Sequence, residues 1–122
     1  ERYIFKTKFN DKGKNPGNVW GDIKQLTYKS KELLDRNFLN TIQKPIKLIE
    51  RIVKANSKEG DTVLDPFAGT GTTFVVCKEL KRNFIGFEID QKLVEVCNNR
   101  IKDTNSGQSY NLFSVFNKNS II

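Results

Sequence analysis

Two carboxylates, Asp65 and Glu88, frame the stretch of this sequence whose residue types and spacing could do chemistry. Asp65 closes the apolar run "TVLD", and "PFAGTGTT" follows it as a loop with two glycines that opens into a helical pattern. A strand ending in an acid, then small residues, then a helix brings backbone N–H groups and a helix N-terminus close to a ligand. On this reading Gly69 and Gly71 leave the space open. Glu88 ends the next apolar run, at about the 20-residue spacing where a carboxylate in a doubly wound sheet takes both hydroxyls of a ribose. The pair predicts an adenosine-containing ligand. The alternative is a tight strand-to-helix turn that holds nothing.

The residues around the glycines weigh the ligands against one another. In "GTGTTF", Phe74 stands where the dinucleotide fingerprint has its third glycine. It predicts a helix held further from the strand and less room for a pyrophosphate, which makes NAD the weaker choice. A phosphate-cradling loop of the Walker type needs Lys and then Ser or Thr after its second glycine, and here Thr72 and Thr73 follow Gly71. S-adenosylmethionine has the ribose and adenine without phosphates, and Asp65 suits the ammonium at its methionine end. No metal is expected, since the chain has two cysteines and no His. Cys77 and Cys97 lie among aliphatic residues and are expected as buried free thiols in a reducing, cytoplasmic setting.

These groups need an α/β frame. "QKPIKLIERIVKAN" repeats Ile46, Ile49, Ile52 and Val53 at helical spacing, with Pro45 suited to the first helical position. "SKEGDT" turns the chain at Gly60 into the strand Thr62 to Asp65. A helix from Thr72 to Leu80 comes next, and then the strand-like run "NFIGFEID". Asp90 caps a helix to about Lys102 that carries the stripe Leu93, Val94, Cys97 and Ile101, with Arg100 and Lys102 at its negative end. This order implies parallel strands joined by right-handed crossovers. Upstream, "YIFKTKF" suits an edge strand, Asn15 to Asn18 a turn that delivers Trp20 to something apolar, and Ser30 to Phe38 a short helix. In the tail, "YNLFSVF" suits a strand.

With these motifs in place, the sequence resembles the amino-methylating DNA methyltransferases, which modify adenine N6 or cytosine N4. "LDPFAGTGTT" is similar to their cofactor motif, "QKPIKLIERIVKANSKEGDTVLDPF" to the block before it, "FIGFEID" to the ribose-binding strand and "GKNPGNVWGDI" to an upstream segment. The order is that of the permuted group, whose catalytic half comes first. The resemblance implies a partial Rossmann-like S-adenosylmethionine-dependent methyltransferase fold, with a parallel sheet flanked by helices. It places Asp65, Pro66, Phe67, Ala68, Gly69, Thr70 and Gly71 around the methionine and sulfonium, with Thr72 and Thr73 opening the next helix. It places Glu88 on the ribose, Ile89 beside the adenine, and Gln43, Lys44 and Pro45 near the methionine carboxylate. The family's "HPTQKP" appears here as "NTIQKP".

The family's catalytic loop, an Asp, Asn or Ser followed by Pro-Pro and an aromatic residue, is not in this sequence. Its three prolines, Pro16, Pro45 and Pro66, are separate. No catalytic residue is therefore assigned, and the 122-residue chain by itself is expected not to methylate DNA. The expected divisions are a basic segment, residues 1–39, from the target-recognition or linking region, a cofactor-binding subdomain, 40–102, and a polar tail, 103–122. The chain contains no Met, which leads us to expect that it begins part-way through a gene product.

The net charge of +7 favours a polyanionic partner, DNA, and the 37% apolar content includes no run long enough for a membrane span. A two-stranded sheet with an apolar edge is a poor independent domain, so a second partner is expected: the catalytic half, or further copies of the chain. The work of the completed enzyme would be site-specific methylation, adenine N6 ahead of cytosine N4, in a restriction-modification system. The alternatives are a non-catalytic remnant and a Rossmann-like nucleotide-binding module.

Overall fold

A computed structural model describes residues 17–27, 29–34 and 43–104. Five elements follow in the expected order: helix α1 (Ile46–Asn56), strand β1 (Thr62–Asp65), helix α2 (Thr72–Glu79), strand β2 (Asn83–Gly86) and helix α3 (Gln91–Asp103). The strands are parallel and in register from Thr62 opposite Asn83 to Asp65 opposite Gly86. The apolar run continues to Ile89, but pairing stops at Gly86. Beyond it, the backbone of Phe87 turns to the glycine loop, accepting from Ala68 N–H at 2.9 Å.

Alternation along the strands separates two faces. Val63 and Phe84 face the helices. Phe84 packs against Val53, Val76 and Cys77 on one side and against Phe74, Cys97 and Ile101 on the other. Its ring stacks on Phe74 at 4.8 Å. This arrangement explains how Phe74 can stand in place of a glycine. A Cβ on Gly86 would lie 2.0 Å from Phe74 Cζ, so the room for close packing is left on the strand instead of on the helix. On the opposite face Leu64 and Ile85, paired in register, are exposed at 61% and 41%.

Helix ends show how local chemistry sets the frame. Asp90 caps α3 as expected, accepting from Lys92 N–H at 2.8 Å. Pro45 is the N-cap of α1, one position before the first helical residue it was expected to occupy. Proline has no side-chain acceptor, and the exposed Ile46 N–H is met by Glu32 Oε2 at 3.0 Å. At the other end, the buried Arg82 donates to Ser57 O, Ser57 Oγ and Leu80 O, tying the exit of α1 to the entry of β2.

The upstream segment differs from expectation. Residues 30 to 33 form a turn, with Leu33 N–H on Ser30 O at 3.2 Å. In a helix Leu34 N–H would bond Ser30 O, but it bonds Gln43 Oε1 at 3.1 Å, and the long-range contact wins. The half-buried Trp20 meets a cation, its ring 5.1 Å from the Arg51 guanidinium. Arg51 also takes both oxygens of Asp22, at 2.9 and 2.5 Å, with Lys47 at 2.9 Å. The strands expected at "YIFKTKF" and "YNLFSVF", and residues 35–42, lie outside the described residues.

Candidate functional site

The tips of β1 and β2 and the N-termini of α2 and α3 converge on a cleft of about 540 Å³. Asp65, at the end of β1, organises the loop that leaves it. Its Oδ1 accepts from Phe67 N–H at 3.1 Å and its Oδ2 from Thr73 Oγ1 at 2.6 Å. The second bond sets a carboxylate at the N-terminus of α2, which has no side-chain cap of its own and whose dipole favours a negative charge.

Glu88 joins the two loops. Oε2 accepts from Gly69 N–H at 2.8 Å and Oε1 from Asp90 N–H at 2.9 Å. Ala68 N–H goes to Phe87 O and Gly71 N–H to Ala68 O. The amides of Phe67, Ala68, Gly69 and Gly71 are thus all bonded within the protein, which leaves those four unavailable to a phosphate. What faces the cleft instead is acceptor capacity. Each carboxylate has room for about four hydrogen bonds, and each receives two here. A ligand offering hydroxyls and a cation suits this wall better than a pyrophosphate does.

The glycines have separate duties. Gly69 lines the cleft at φ 53°, with nothing closer than Phe67 O at 4.0 Å around the site of a Cβ. Gly71, at φ 77°, does not line it. A Cβ there would lie 2.4 Å from Cys97 Sγ, so its openness serves the packing of α3.

Of the residues expected at the site, the cleft brings together Gln43, Lys44, Asp65, Phe67, Ala68, Gly69, Thr70, Thr72, Thr73 and Glu88. Pro45, Pro66, Gly71 and Ile89 are not on its wall, and Ile89 is 93% exposed. Gln43 is buried with its amide engaged, donating to Glu32 O at 2.6 Å and accepting from Leu34 N–H. Ile49 from α1 and Leu93 from α3 also line the cleft. Both belong to helical apolar stripes, and spacing alone does not say that the end of a stripe faces a cleft.

Arg100 makes a further contact that its spacing does not signal. It lies in the last turn of α3 as expected, and in addition its Nη1 reaches the glycine loop, 2.7 Å from Thr70 O, 3.2 Å from Thr70 Oγ1 and 3.1 Å from Thr72 Oγ1. The two cysteines are buried and free, and burial pushes the Cys77 thiol up to about 12 and the Cys97 thiol to about 11. Neither is a nucleophile at neutral pH. Among the described residues no group of His, Cys, Asp and Glu could hold a metal, and no helix is long and apolar enough to cross a membrane.

A parallel α/β unit with an acid at the tip of one strand, a second acid just past the end of the next, and a glycine loop beside them defines a partial Rossmann-like fold of the S-adenosylmethionine-dependent methyltransferase class. The chain belongs to the N6/N4 DNA methylase family, whose model matches residues 2–99. It is 39% identical over 99 residues to the type II methyltransferase M.BamHI of Bacillus amyloliquefaciens, covering 81% of this chain and 22% of that protein. It is 39% identical over 110 residues to M2.LlaDCHI of Lactococcus lactis subsp. cremoris, covering 90% and 38%. With the DNA adenine methyltransferase YhdJ of Escherichia coli K12 it shares 43% identity over 83 residues, covering 68% and 26%. The chain thus spans well under half of these relatives. Among solved structures, TTHA0409 of Thermus thermophilus, described as a DNA modification methylase and complexed with S-adenosyl-L-methionine, is similar at TM-score 0.50 and 38% identity, covering 54% of this chain and 27% of that one.

Proposed function

We propose that this chain is the S-adenosylmethionine-binding part of a site-specific DNA amino-methyltransferase. The observation that carries the reading is the cleft wall: two carboxylates with open acceptor positions beside a glycine loop in which the amides of Phe67, Ala68, Gly69 and Gly71 are bonded within the protein. The cofactor brings an ammonium, a sulfonium, a carboxylate and two ribose hydroxyls to such a wall and no phosphate. Glu88, held by two backbone N–H groups, takes the ribose hydroxyls, and Asp65 takes the ammonium, while Lys44 lies at the cleft for the carboxylate. Bound there, the cofactor would supply an electrophilic methyl group to an exocyclic amine, with its sulfonium left as a thioether and the amine's proton lost to solvent. The chain's own residues contribute position and electrostatics to that step.

Flipping a base out of duplex DNA costs a few kcal/mol and needs a pocket that holds it. This sequence has no Pro-Pro-aromatic loop to form one, so a catalytic half must complete the enzyme. Adenine N6 is the favoured target, supported by likeness to an adenine methyltransferase, and a restriction-modification setting by the type II relatives. Lysines of the segment Lys6 to Lys31 are proposed to contact DNA phosphates, and a cytoplasmic location is proposed with that substrate.

Mixing the chain with a catalytic half of the family, labelled S-adenosylmethionine and DNA tests this reading. Methyl transfer to DNA that neither part achieves alone is the expected result. Cofactor binding without transfer would favour a non-catalytic remnant.

A further inference from the structure

Arg100 reaches across the back of the glycine loop, and its position has a chemical consequence. Nη1 shares its two hydrogens among Thr70 O, Thr70 Oγ1 and Thr72 Oγ1, at 2.7 to 3.2 Å. Guanidinium only donates, whereas a hydroxyl carries one hydrogen and two acceptor positions. A threonine oxygen that accepts from Arg100 must point its own hydrogen elsewhere. Among the described residues neither hydroxyl donates to a protein acceptor, and both residues line the cleft. The other polar side chains there differ. Thr73 Oγ1 donates to Asp65, and the Gln43 amide donates to Glu32 O. A cation beside the N-terminus of α2 also opposes that helix's dipole, and burial lowers the Arg100 pKa. The arrangement is therefore costly to the fold taken alone.

We propose that Arg100 is a positioning residue: it fixes the Thr70 and Thr72 hydroxyls as donors into the cleft, where they receive the carboxylate at the amino-acid end of the cofactor. The inference rests on the reading of the cleft as an S-adenosylmethionine site. It divides the wall by charge, with the acceptors Asp65 and Glu88 for the ammonium and ribose, and the donors Thr70 and Thr72, backed by Arg100, beside Lys44 for the carboxylate.

Titration of the chain with S-adenosylmethionine and with 5′-methylthioadenosine tests it, since the second ligand keeps the nucleoside and lacks the amino-acid end. Arg100→Met keeps the apolar stem and is expected to weaken S-adenosylmethionine about tenfold, the worth of one charge-assisted hydrogen bond, while changing methylthioadenosine by less than about twofold. Arg100→Lys, which retains a cationic donor, restores most of the affinity. The pair Thr70→Val and Thr72→Val reproduces the ligand-selective loss, and Arg100→Met added to it causes little more. Equal weakening of both ligands would reduce Arg100 to a support of the fold and overturn the proposal, as would no weakening at all. If Arg100→Met does not fold, the threonine pair decides by the same two outcomes. A wild-type chain that binds neither ligand would instead overturn the cofactor reading itself, and this proposal with it.

Discussion

Gly69 and Gly71 both hold a left-handed backbone, yet their surroundings give them different substitution costs. Gly69→Ala adds only the backbone strain of its φ of 53°, since its surroundings are open. Gly71→Ala adds strain at φ 77° and drives a methyl to 2.4 Å from Cys97 Sγ. We expect Gly69→Ala to cost about 1 to 2 kcal/mol and Gly71→Ala roughly 3 to 5 kcal/mol of folding stability. Urea denaturation compares them, and equal costs would contradict the assignment of Gly71 to packing. Glu88→Ala removes the acceptor that Gly69 N–H and Asp90 N–H share, together with the proposed ribose contact. It should weaken S-adenosylmethionine binding by about 1 to 3 kcal/mol. An unchanged affinity by calorimetry would remove Glu88 from the site.

Among the elements, α1 depends on residues far from it in sequence. Glu32 serves its N-terminus, and Asp22 clasps Arg51 and Lys47 on its surface. Glu32→Ala should lower stability by about 1 kcal/mol, the typical worth of a lost helix cap; denaturant midpoints check this. Hydrogen bonds from Arg51 and then Lys47 hold the Asp22 carboxyl well below its usual 3.8. A carboxyl whose pKa falls on folding stabilises the fold above its unfolded value, and the contribution fades as pH falls toward the folded one. The stability gap between wild type and Asp22→Asn should thus be flat above about pH 5 and shrink below pH 4, and it should narrow in high salt because the clasp is exposed. A gap that widens in acid would contradict the clasp.

The order of elements, the Asp90 cap, the buried thiols and, on the cleft wall, Asp65, Gly69 and Glu88 were legible in local patterns, while Gln43, Lys44, Phe67, Ala68, Thr70, Thr72 and Thr73 followed from the family resemblance. Helical spacing, glycine turns and strand-tip acids are short-range signals. What escaped was set by distant partners. The helix expected after Ser30 gives way because Gln43 takes Leu34 N–H, and Arg100, in the last turn of its helix, also reaches a loop 30 residues away. Phe74 in place of glycine was legible, but its release by Gly86 was not, because the compensating residue sits on the neighbouring strand. The end of β2 was not legible either, since apolar residues continue past Gly86 while the backbone has turned to the glycine loop.

At the scale of the whole molecule, one side of the sheet is covered by packed helices and the other presents Leu64 and Ile85. A sheet uncovered on an apolar face associates with whatever can cover it. We expect the isolated chain to self-associate in sedimentation experiments, and the double variant Leu64→Ser, Ile85→Ser to be more monomeric without loss of cofactor affinity. Persistent association of the variant would place the contact elsewhere.

The central claim is that the cleft takes a methyl donor and not a dinucleotide. Calorimetric titration of the chain with S-adenosylmethionine, repeated in the presence of NAD, tests it most directly. The account predicts one-site binding that NAD leaves unchanged at comparable concentration. Displacement by NAD, or binding that requires NAD's phosphates, would contradict it.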